Sequence, residues 1–516
     1  MDQPIPAAHP RPWRVLAVLC LSVLLVGIDN TIVNVALPTL AAELAADTSG
    51  LQWVVDGYTL VFAALLLVGG HLGDRYGRRR MLQLGLVLYG ATTFLASTAG
   101  TTAELVTARA LMGAGAALIF PATLALLITA FPGARERATA IGVWSAVTGL
   151  SVAVGPVAGG FLLEHFAWGS VFLVKLPLVV LALVAGRLVL RESRERVPSR
   201  FDPVGAVGSV AGIGLLVWTT IEAPGHGWTS ATTLGGYAAA ALALVGFVGW
   251  ELRRPDPLLD VRLFTDARVS AGSGAIALAF FALFGFIFMI TQYFQAVLGY
   301  GPLAACLRTL PFALVIGATA PLAITAMRAL GTKVVVAGGL VVMSLGFVVA
   351  AGSGVDSAYW GRIVLSMVLM AGGLGLVTSP ATEAVMGALR ADEAGAGSAV
   401  NDTVREVGGT LGVAVVGSVM STVYAATVLD GLAGLPEQAR AAAEQSVVAG
   451  LAVAAQSPDP ATADTVRQAF VDGLSAGSWV CAGACVVGAL AVAAWLPARA
   501  RDAVLVPDAV PTVPAA

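Results

Sequence analysis

The chain has 516 residues, of which 58% are hydrophobic and only 12% are charged, and its mean hydropathy is +0.86. A soluble protein carries about 25% charged residues and at this length divides into several domains. The composition therefore excludes an ordinary soluble protein. The formal net charge of −2 points to no charged partner, and we expect no nucleic-acid partner.

Apolar blocks of about 20 residues recur along the chain, and each is long enough for a helix that crosses a hydrocarbon core of about 30 Å. Gly and Ala are abundant, as expected where membrane helices pack closely. The predicted fold is an all-α integral membrane protein. The blocks predict fourteen transmembrane helices, at 13–37, 51–70, 81–99, 103–130, 138–163, 168–190, 203–221, 231–250, 269–291, 303–328, 333–352, 360–388, 395–428 and 475–496.

The positive charges predict the orientation of these spans, because cytoplasmic segments of membrane proteins carry an excess of Lys and Arg. If the N-terminus is cytoplasmic, most of the 29 Lys and Arg residues fall in cytoplasmic segments, among them Arg75, Arg78, Arg79, Arg80 and the stretch 191–200. We therefore expect a multi-pass protein of the plasma membrane whose cytoplasmic ends are residues 1–12 and 497–516.

Cysteine and histidine usage gives no indication of an enzyme. Cys20, Cys306, Cys481 and Cys485 lie in or beside apolar spans and are expected to be packing residues. The four histidines lie in loops or termini, and no GxxxxGK[ST] motif is present for direct coupling to ATP. The sequence predicts neither a catalytic site nor a cofactor or metal.

Asp29 lies inside an apolar run that begins near Trp13, about 24 Å further along a helix. An acid at that position costs about 2.5–3.5 kcal/mol on insertion scales and is by default a functional candidate. Asp56 and Arg109 are predicted at comparable depth. Two acids and one arginine leave one negative charge unneutralised, which favours binding of a proton or a cationic group. The alternatives are a buried cap or ion pair for Asp29 and a place at the outer interface for Asp56.

Other charges within or near the spans are secondary candidates. Lys175 either extends to the membrane interface or pairs with an acid. Asp402 can pair locally with Arg405 through i,i+3 spacing, which leaves Glu406 as a second proton or cation site. Glu222 is expected at the outer end of its span.

The loop GHLGDRYGRRR, residues 70–80, follows the second span. Its glycines allow a tight turn, and its Asp can cap a helix or pair with an arginine. Any cytoplasmic loop collects arginines, but this spacing resembles the signature loop of the major facilitator superfamily. The residues that carry the motif, to which we assign a conformational role, are Gly70, Gly73, Asp74, Arg75, Gly77 and Arg78.

Further motifs extend the resemblance. RALMGAGAA, which begins at Arg109, resembles the buried-arginine motif of the superfamily, and SVAVGPVAGG in the fifth span resembles the motif of its antiporter branch. There Gly155-Pro156 would bend the helix, whereas Gly159 and Gly160 would permit close contact; the alternative is an ordinary proline-kinked span. Fourteen spans, with IDNTIVNVALP, QWVVDGYTL and GSAVNDTVREVGGTLGVAVVGS, resemble the fourteen-span drug:proton antiporters.

The resemblance implies a domain organisation. It implies two six-helix bundles and an extra helix pair. The residues themselves indicate cytoplasmic connectors and a long external loop, in which we expect amphipathic helices that lie against the outer face. Their positions are 13–190 and 269–496 for the bundles, 203–250 for the pair, 429–474 for the loop, and 191–202 and 251–268 for the connectors. Where this chain has Lys175, the family usually has Asn.

The function implied is export of amphipathic, cationic drugs or antibiotics in exchange for protons. The partners would be the small-molecule substrate, protons and the lipid bilayer, and the protein would act as a monomer. One alternative is a narrow exporter of a single antibiotic or metabolite. Another is a proton symporter for uptake, against which the Gly-Pro motif argues.

Overall fold

The computed structural model describes residues 11–194, 202–255, 257–389 and 394–497, and every regular element in these ranges is a helix. The predicted end segments 1–12 and 497–516 and the connectors 191–202 and 251–268 lie partly outside the described residues. The α-helices are α1 (Pro12–Glu43), α2 (Thr48–Tyr76), α3 (Arg78–Ser97), α4 (Thr102–Ala130), α5 (Ala134–His165), α6 (Ser170–Leu173), α7 (Lys175–Val189), α8 (Pro203–His226), α9 (Ala231–Glu251), α10 (Ala267–Gln292), α11 (Pro302–Leu307), α12 (Leu310–Leu330), α13 (Thr332–Ala351), α14 (Val364–Ala388), α15 (Ala394–Gly431), α16 (Glu437–Gln445), α17 (Val447–Gln456) and α18 (Ala461–Trp495).

Among the described residues, thirteen helical segments are long and apolar enough to cross a membrane. The predicted third span, now α3, is not among them. Its arginine-rich start and Gln83 lower its hydropathy. The predicted external loop 429–474 contains α16, α17 and the first part of α18, which begins well before the span predicted at 475–496.

Two groups of helices repeat one packing pattern. In the first group α2 and α3 both pack on α4, α1 packs on α5, and α7 packs on α1 and α3. In the second group α12 and α13 pack on α14, α10 packs on α15, and α18 packs on α10 and α13. Related halves of this kind are how many transporters surround a central site. The helix pair α8–α9 contacts α2 and α15 through α8.

Small residues allow this packing. A Cβ added to Gly113 would lie 2.4 Å from the carbonyl oxygen of Tyr58, where α4 crosses α2. A Cβ added to Gly412 would lie 2.1 Å from the carbonyl oxygen of Phe281, where α15 crosses α10. Contacts this short require glycine, so the helix axes can approach more closely than larger side chains would permit.

Contacts between the two groups lie toward one end of the molecule. We call the end at which α1 begins and α18 ends the terminal end, and the opposite end the distal end. In the distal half, Gln295 Nε2 donates to the Val35 carbonyl at 3.0 Å, and Thr48 Oγ1 donates to the Gln445 carbonyl at 3.1 Å. Gly160 of α5 lies against the backbone of Leu303 in α11. These three contacts join the distal halves of the two groups.

Candidate functional site

Asp29 lies at the centre of a buried ion cluster. Its Oδ2 accepts from Arg109 Nη1 of α4, and its Oδ1 accepts from Lys175 Nζ, at the first position of α7. The three side chains are 0%, 1% and 1% exposed, respectively. A single carboxylate thus joins three helices, and with all groups ionised the cluster carries one excess positive charge.

Each cation of the cluster has further partners. Arg109 Nε donates to the Val54 carbonyl at 2.9 Å, and the guanidinium lies 4.4 Å from the ring centroid of Tyr58. Lys175 Nζ lies 4.8 Å from the ring centroid of Phe172. A planar, hydrogen-bonded guanidinium over an aromatic face is a stable arrangement for a buried positive charge. These contacts fix the cluster in place.

The position of Lys175 decides between two alternatives and corrects one expectation. The side chain is buried and pairs with Asp29 rather than extending to the membrane interface. The predicted charge balance is wrong. It counted Asp29 and Asp56 against Arg109 alone, whereas Lys175 supplies a second buried cation.

Asp56 does not join this cluster. It lies on the face of α2 that also carries Gln52 and Thr59, at i, i+4 and i+7 spacing. Gln52 Nε2 donates to the Ala414 carbonyl of α15 at 2.9 Å, and Thr410 Oγ1 donates to Thr59 Oγ1 at 3.0 Å. The expected layer of Asp29, Asp56 and Arg109 is therefore divided between opposite faces of α2.

The surroundings of Asp56 form a seam between three helices, α2, α8 and α15. On the adjoining face of α2, Trp53 and Leu60 pack against Val217 and Ile221 of α8. Asp56 is 0% exposed, and neither of its carboxylate oxygens has a hydrogen-bond partner within the described part of the chain. An ionised carboxylate in such a place costs several kcal/mol. Binding of a proton would remove that cost.

The terminal half of α15 carries the charges predicted there. Arg405 Nη1 lies 3.7 Å from Asp402 Oδ1, and its guanidinium is 4.5 Å from the ring centroid of Phe280. Glu406 Oε2 is buried and has no hydrogen-bond partner among the described residues. Glu222, on α8, accepts a hydrogen bond from Trp53 Nε1 at 3.1 Å at the distal end. These groups are separate from the Asp29 cluster.

The loop at residues 70–80 is braced within the first group of helices. Asp74 pairs with Arg78 of the same loop at 2.7 Å rather than across the molecule. Gly77 has φ +112°, and a Cβ there would lie 2.6 Å from Glu192 Oε1. The positive φ favours glycine at that turn, and a larger residue would also have to displace the Glu192 carboxylate. Gly70 and Gly73 have ordinary surroundings, and Arg75 lies over the ring of Tyr76.

The glycines of α5 bring that helix against the stretch of α1 that carries Asp29. A Cβ on Gly155 would lie 2.1 Å from Thr31 Oγ1, and one on Gly159 would lie 2.8 Å from Ile32 Cγ1. Pro156, between them, lines a cavity enclosed by α1, α5, α10, α11 and α12. Thr31 also lines the cavity, on the side of α1 opposite Asp29. One helix thus separates the ion cluster from the cavity.

Gln52, Asn34 and Tyr58 were not predicted as functional residues, although all three lie in the sequence motifs described above. Gln52 could have been found, because it precedes Asp56 by one helical turn. Tyr58, whose buried hydroxyl has no partner among the described residues, follows Val54 by one turn and lies under Arg109. No signal in the sequence indicated which of these polar residues face a cavity.

The helices are long enough to span a membrane and form two groups with matched packing. A cavity lies between the groups, and charged side chains are buried within the spans. These features define a polytopic membrane transporter. The sequence pattern of the Major Facilitator Superfamily matches residues 19–413, and the chain belongs to that family. The resemblance inferred from the motifs is thereby confirmed. Members of this family are transporters and not enzymes.

Similar proteins agree with this assignment. The chain is 38% identical to the multidrug efflux pump LfrA of Mycolicibacterium smegmatis over 93% of this chain and 96% of that protein. It is 34% identical to the tetracenomycin C resistance and export protein of Streptomyces glaucescens over 82% and 79% of the two chains. Its fold matches a bacterial homologue of the human lysosomal transporter Spinster, solved inward-facing and unoccupied, with a TM-score of 0.68, 18% identity and coverage of 96% and 100%.

Proposed function

We propose that this chain exports amphipathic, cationic drugs or antibiotics across the plasma membrane in exchange for protons. Its relatives include a multidrug efflux pump and an antibiotic export protein, which supports drug export. The observation that carries the proton-coupled part is Asp56, a buried carboxyl group in the seam of α2, α8 and α15 that has no hydrogen-bond partner among the described residues.

The proposed arrangement in the membrane completes the topology. In this arrangement α3 also spans the membrane and brings the number of spans to fourteen. It packs on α4 within the first group as α13 packs on α14 within the second. Both chain termini are cytoplasmic, so the distal end faces outward. The helix groups within 13–190 and 269–496 are the two moving bundles, α8–α9 is the extra pair, and the protein acts as a monomer.

Protonation of Asp56 would control the closure of the distal seam. When the distal halves separate, Asp56 becomes accessible to water and takes a proton from outside. The neutral carboxyl group can then be buried as the seam closes, whereas an ionised one would oppose closure by several kcal/mol. The closed distal half, with Asp56 inside it, corresponds to the proton-loaded state. Glu406, nearer the terminal end, is proposed as a second proton or cation site.

The Asp29 cluster has a different proposed role. Because Asp29 is already paired with Arg109 and Lys175, it would hold α1 in register with α4 and α7 rather than carry the transported proton alone. Because Gly155 and Gly159 hold α5 against α1, a shift of α1 would also change the shape of the cavity on the side of α1 opposite Asp29. The loop around Asp74 and Arg78 would brace the terminal end as the bundles move.

Uptake of ethidium into inside-out vesicles under an imposed pH gradient tests this proposal. Ethidium is a permanent cation, so it does not accumulate passively as a weak base does. We expect wild-type protein to drive uptake and Asp56→Asn to lose it. Asp464→Asn is the matched control, since Asp464 is 77% exposed and pairs only with Arg467 on the surface. Undiminished pH-driven uptake by Asp56→Asn would contradict the assignment.

A narrow exporter of one antibiotic or metabolite is the second candidate. One relative is named as a resistance and export protein for a single compound, tetracenomycin C, which favours this version. Resistance of cells that express the chain, measured against chemically unrelated compounds, separates the two. Protection against several compounds supports the broad exporter, and protection against only one supports the narrow exporter.

A further inference from the structure

The cavity between the two helix groups has a lining that selects for one class of ligand. It has a volume of about 100 Å³, whereas sites that hold an entire drug-sized ligand have about 300–1,000 Å³. It therefore encloses only part of such a molecule. Phe286, Phe294 and Phe312 contribute aromatic walls, and the rings of Phe286 and Phe312 are stacked at 5.6 Å. None of the described residues that line it is charged.

The hydroxyl groups in the cavity offer acceptors rather than donors. Thr31 Oγ1 donates to the Ile28 carbonyl at 3.2 Å, and Thr291 Oγ1 donates to the Ile287 carbonyl at 3.0 Å. Thr309, between α11 and α12, likewise donates to the Cys306 carbonyl. Each hydroxyl hydrogen is thus used by a backbone carbonyl, and only the oxygen lone pairs remain for a ligand.

Asn34 provides the strongest indication of a ligand. It lines the cavity, is 3% exposed, and its Nδ2 donates to the Asn30 carbonyl at 3.0 Å. Because a carbonyl can only accept, this bond fixes which side of the amide faces Asn30. The amide oxygen, Oδ1, is left with no hydrogen-bond partner among the described residues. A buried acceptor without a partner costs about 1–3 kcal/mol, which a ligand donor would recover.

The geometry points to a binding site in which an aromatic group carrying an N–H or O–H donor occupies the cavity and donates to Asn34 Oδ1. This inference rests on the proposed export function and specifies its substrate class. Planar aromatic amines fit the site, and so do monocations whose charge is on a protonated nitrogen. Cations of the same shape whose charged nitrogen is fully alkylated and that carry no other N–H or O–H group lack the donor and leave Asn34 unsatisfied. The selectivity arises from hydrogen bonding, because the cavity wall supplies no carboxylate to attract the charge.

Acridine orange and its N10-methyl salt form a matched pair of probes. Both are planar monocations at neutral pH, but only acridine orange carries a ring N–H. Their affinities for the purified full-length protein in detergent are measured by fluorescence polarisation. We expect wild-type protein to bind acridine orange about tenfold more tightly, since the methylated dye leaves a buried acceptor unpaired. The extra methyl group favours the opposite order through apolar burial, so a preference for acridine orange is diagnostic.

Two variants separate Asn34 from the rest of the cavity. Asn34→Leu removes the acceptor and is expected to bring acridine orange down to the affinity of its methylated analogue. Ile316→Ala removes an apolar side chain from the cavity wall and is expected to change both affinities by the same factor, because isoleucine supplies no hydrogen-bond acceptor. The wild-type ratio decides the matter even if Asn34→Leu fails to fold.

Three results would overturn the inference: equal affinities in wild type, no measurable binding of either dye, or an unchanged ratio in folded Asn34→Leu. These experiments use no pH gradient. Failure of the dye test therefore does not contradict proton coupling. Conversely, failure of proton-driven ethidium uptake does not contradict the ratio of the two dye affinities.

Discussion

Removing charge from the Asp29 cluster should have very unequal effects on stability, depending on which member is changed. Asp29→Asn leaves Arg109 and Lys175, each 1% exposed, as two buried cations without a carboxylate. Loss of one partner of a buried ion pair costs about 3–5 kcal/mol, and two stranded cations place this variant at the upper end. Lys175→Met keeps the pair between Asp29 and Arg109 and fills a similar volume, so we expect a cost of about 0–2 kcal/mol.

The chain supplies its own reporters for this measurement. Cys306, Cys481 and Cys485 are buried, so a thiol-reactive fluorophore reports their exposure as the purified protein is heated. We expect Asp29→Asn to lower the apparent unfolding temperature by roughly 10 °C, Lys175→Met by much less, and the surface control Asp464→Asn not at all. The reasoning fails if Asp29→Asn is as stable as wild type, or if Lys175→Met is the more damaged of the two.

The remaining predictions concern close contacts and the seam. Gly155→Ala is expected to lower ethidium transport sharply, because its Cβ would lie 2.1 Å from Thr31 Oγ1 of α1. The control Gly142→Ala, whose Cβ would have nothing within 4 Å, should transport normally. Equal activity of the two variants would show that the α5–α1 contact is dispensable. Gly77→Ala should destabilise the protein more than Gly227→Ala. Both glycines have positive φ, but of the two only Gly77 also faces a carboxylate, that of Glu192. Thermal unfolding of the two variants, measured in parallel, tests this prediction. Gln52→Leu removes the hydrogen bonds from the Gln52 side chain of α2 to α15 and should favour the distal-open state. That state is measured as faster labelling of a single cysteine introduced into the seam. Unchanged labelling would mean that these bonds do not hold the seam closed.

The sequence predicted the helices and the membrane environment well because hydropathy and span length are local properties. Asp29 and Arg109 were correctly assigned to comparable depth, since depth follows from counting residues along helices of known rise. The start of α18 was predicted too late, because residues 430–472 were assigned to external amphipathic helices rather than to the last span. The short helices α16 and α17 lie in that same stretch.

The pairing of charges could not be derived in the same way. Which side of α2 carries Asp56 relative to Arg109 depends on how α2 is rotated in the bundle, and that is set by packing against α4, α8 and α15 together. Lys175 reaches Asp29 because of the way α7 packs against α1, which also depends on the packing of the whole bundle. Equal depth therefore did not mean contact, and the charge balance changed once the helix faces were known.

The most direct test of the proposed mechanism is proton movement by purified protein in liposomes, measured alongside exchange of ethidium across the membrane in the absence of any gradient. Exchange requires the bundles to alternate but does not require net proton transfer. For Asp56→Asn, the mechanism predicts that exchange persists while an imposed ethidium gradient no longer drives protons across the membrane, as it does in wild type. Proton movement that persists in Asp56→Asn would contradict the central role given to this carboxyl group.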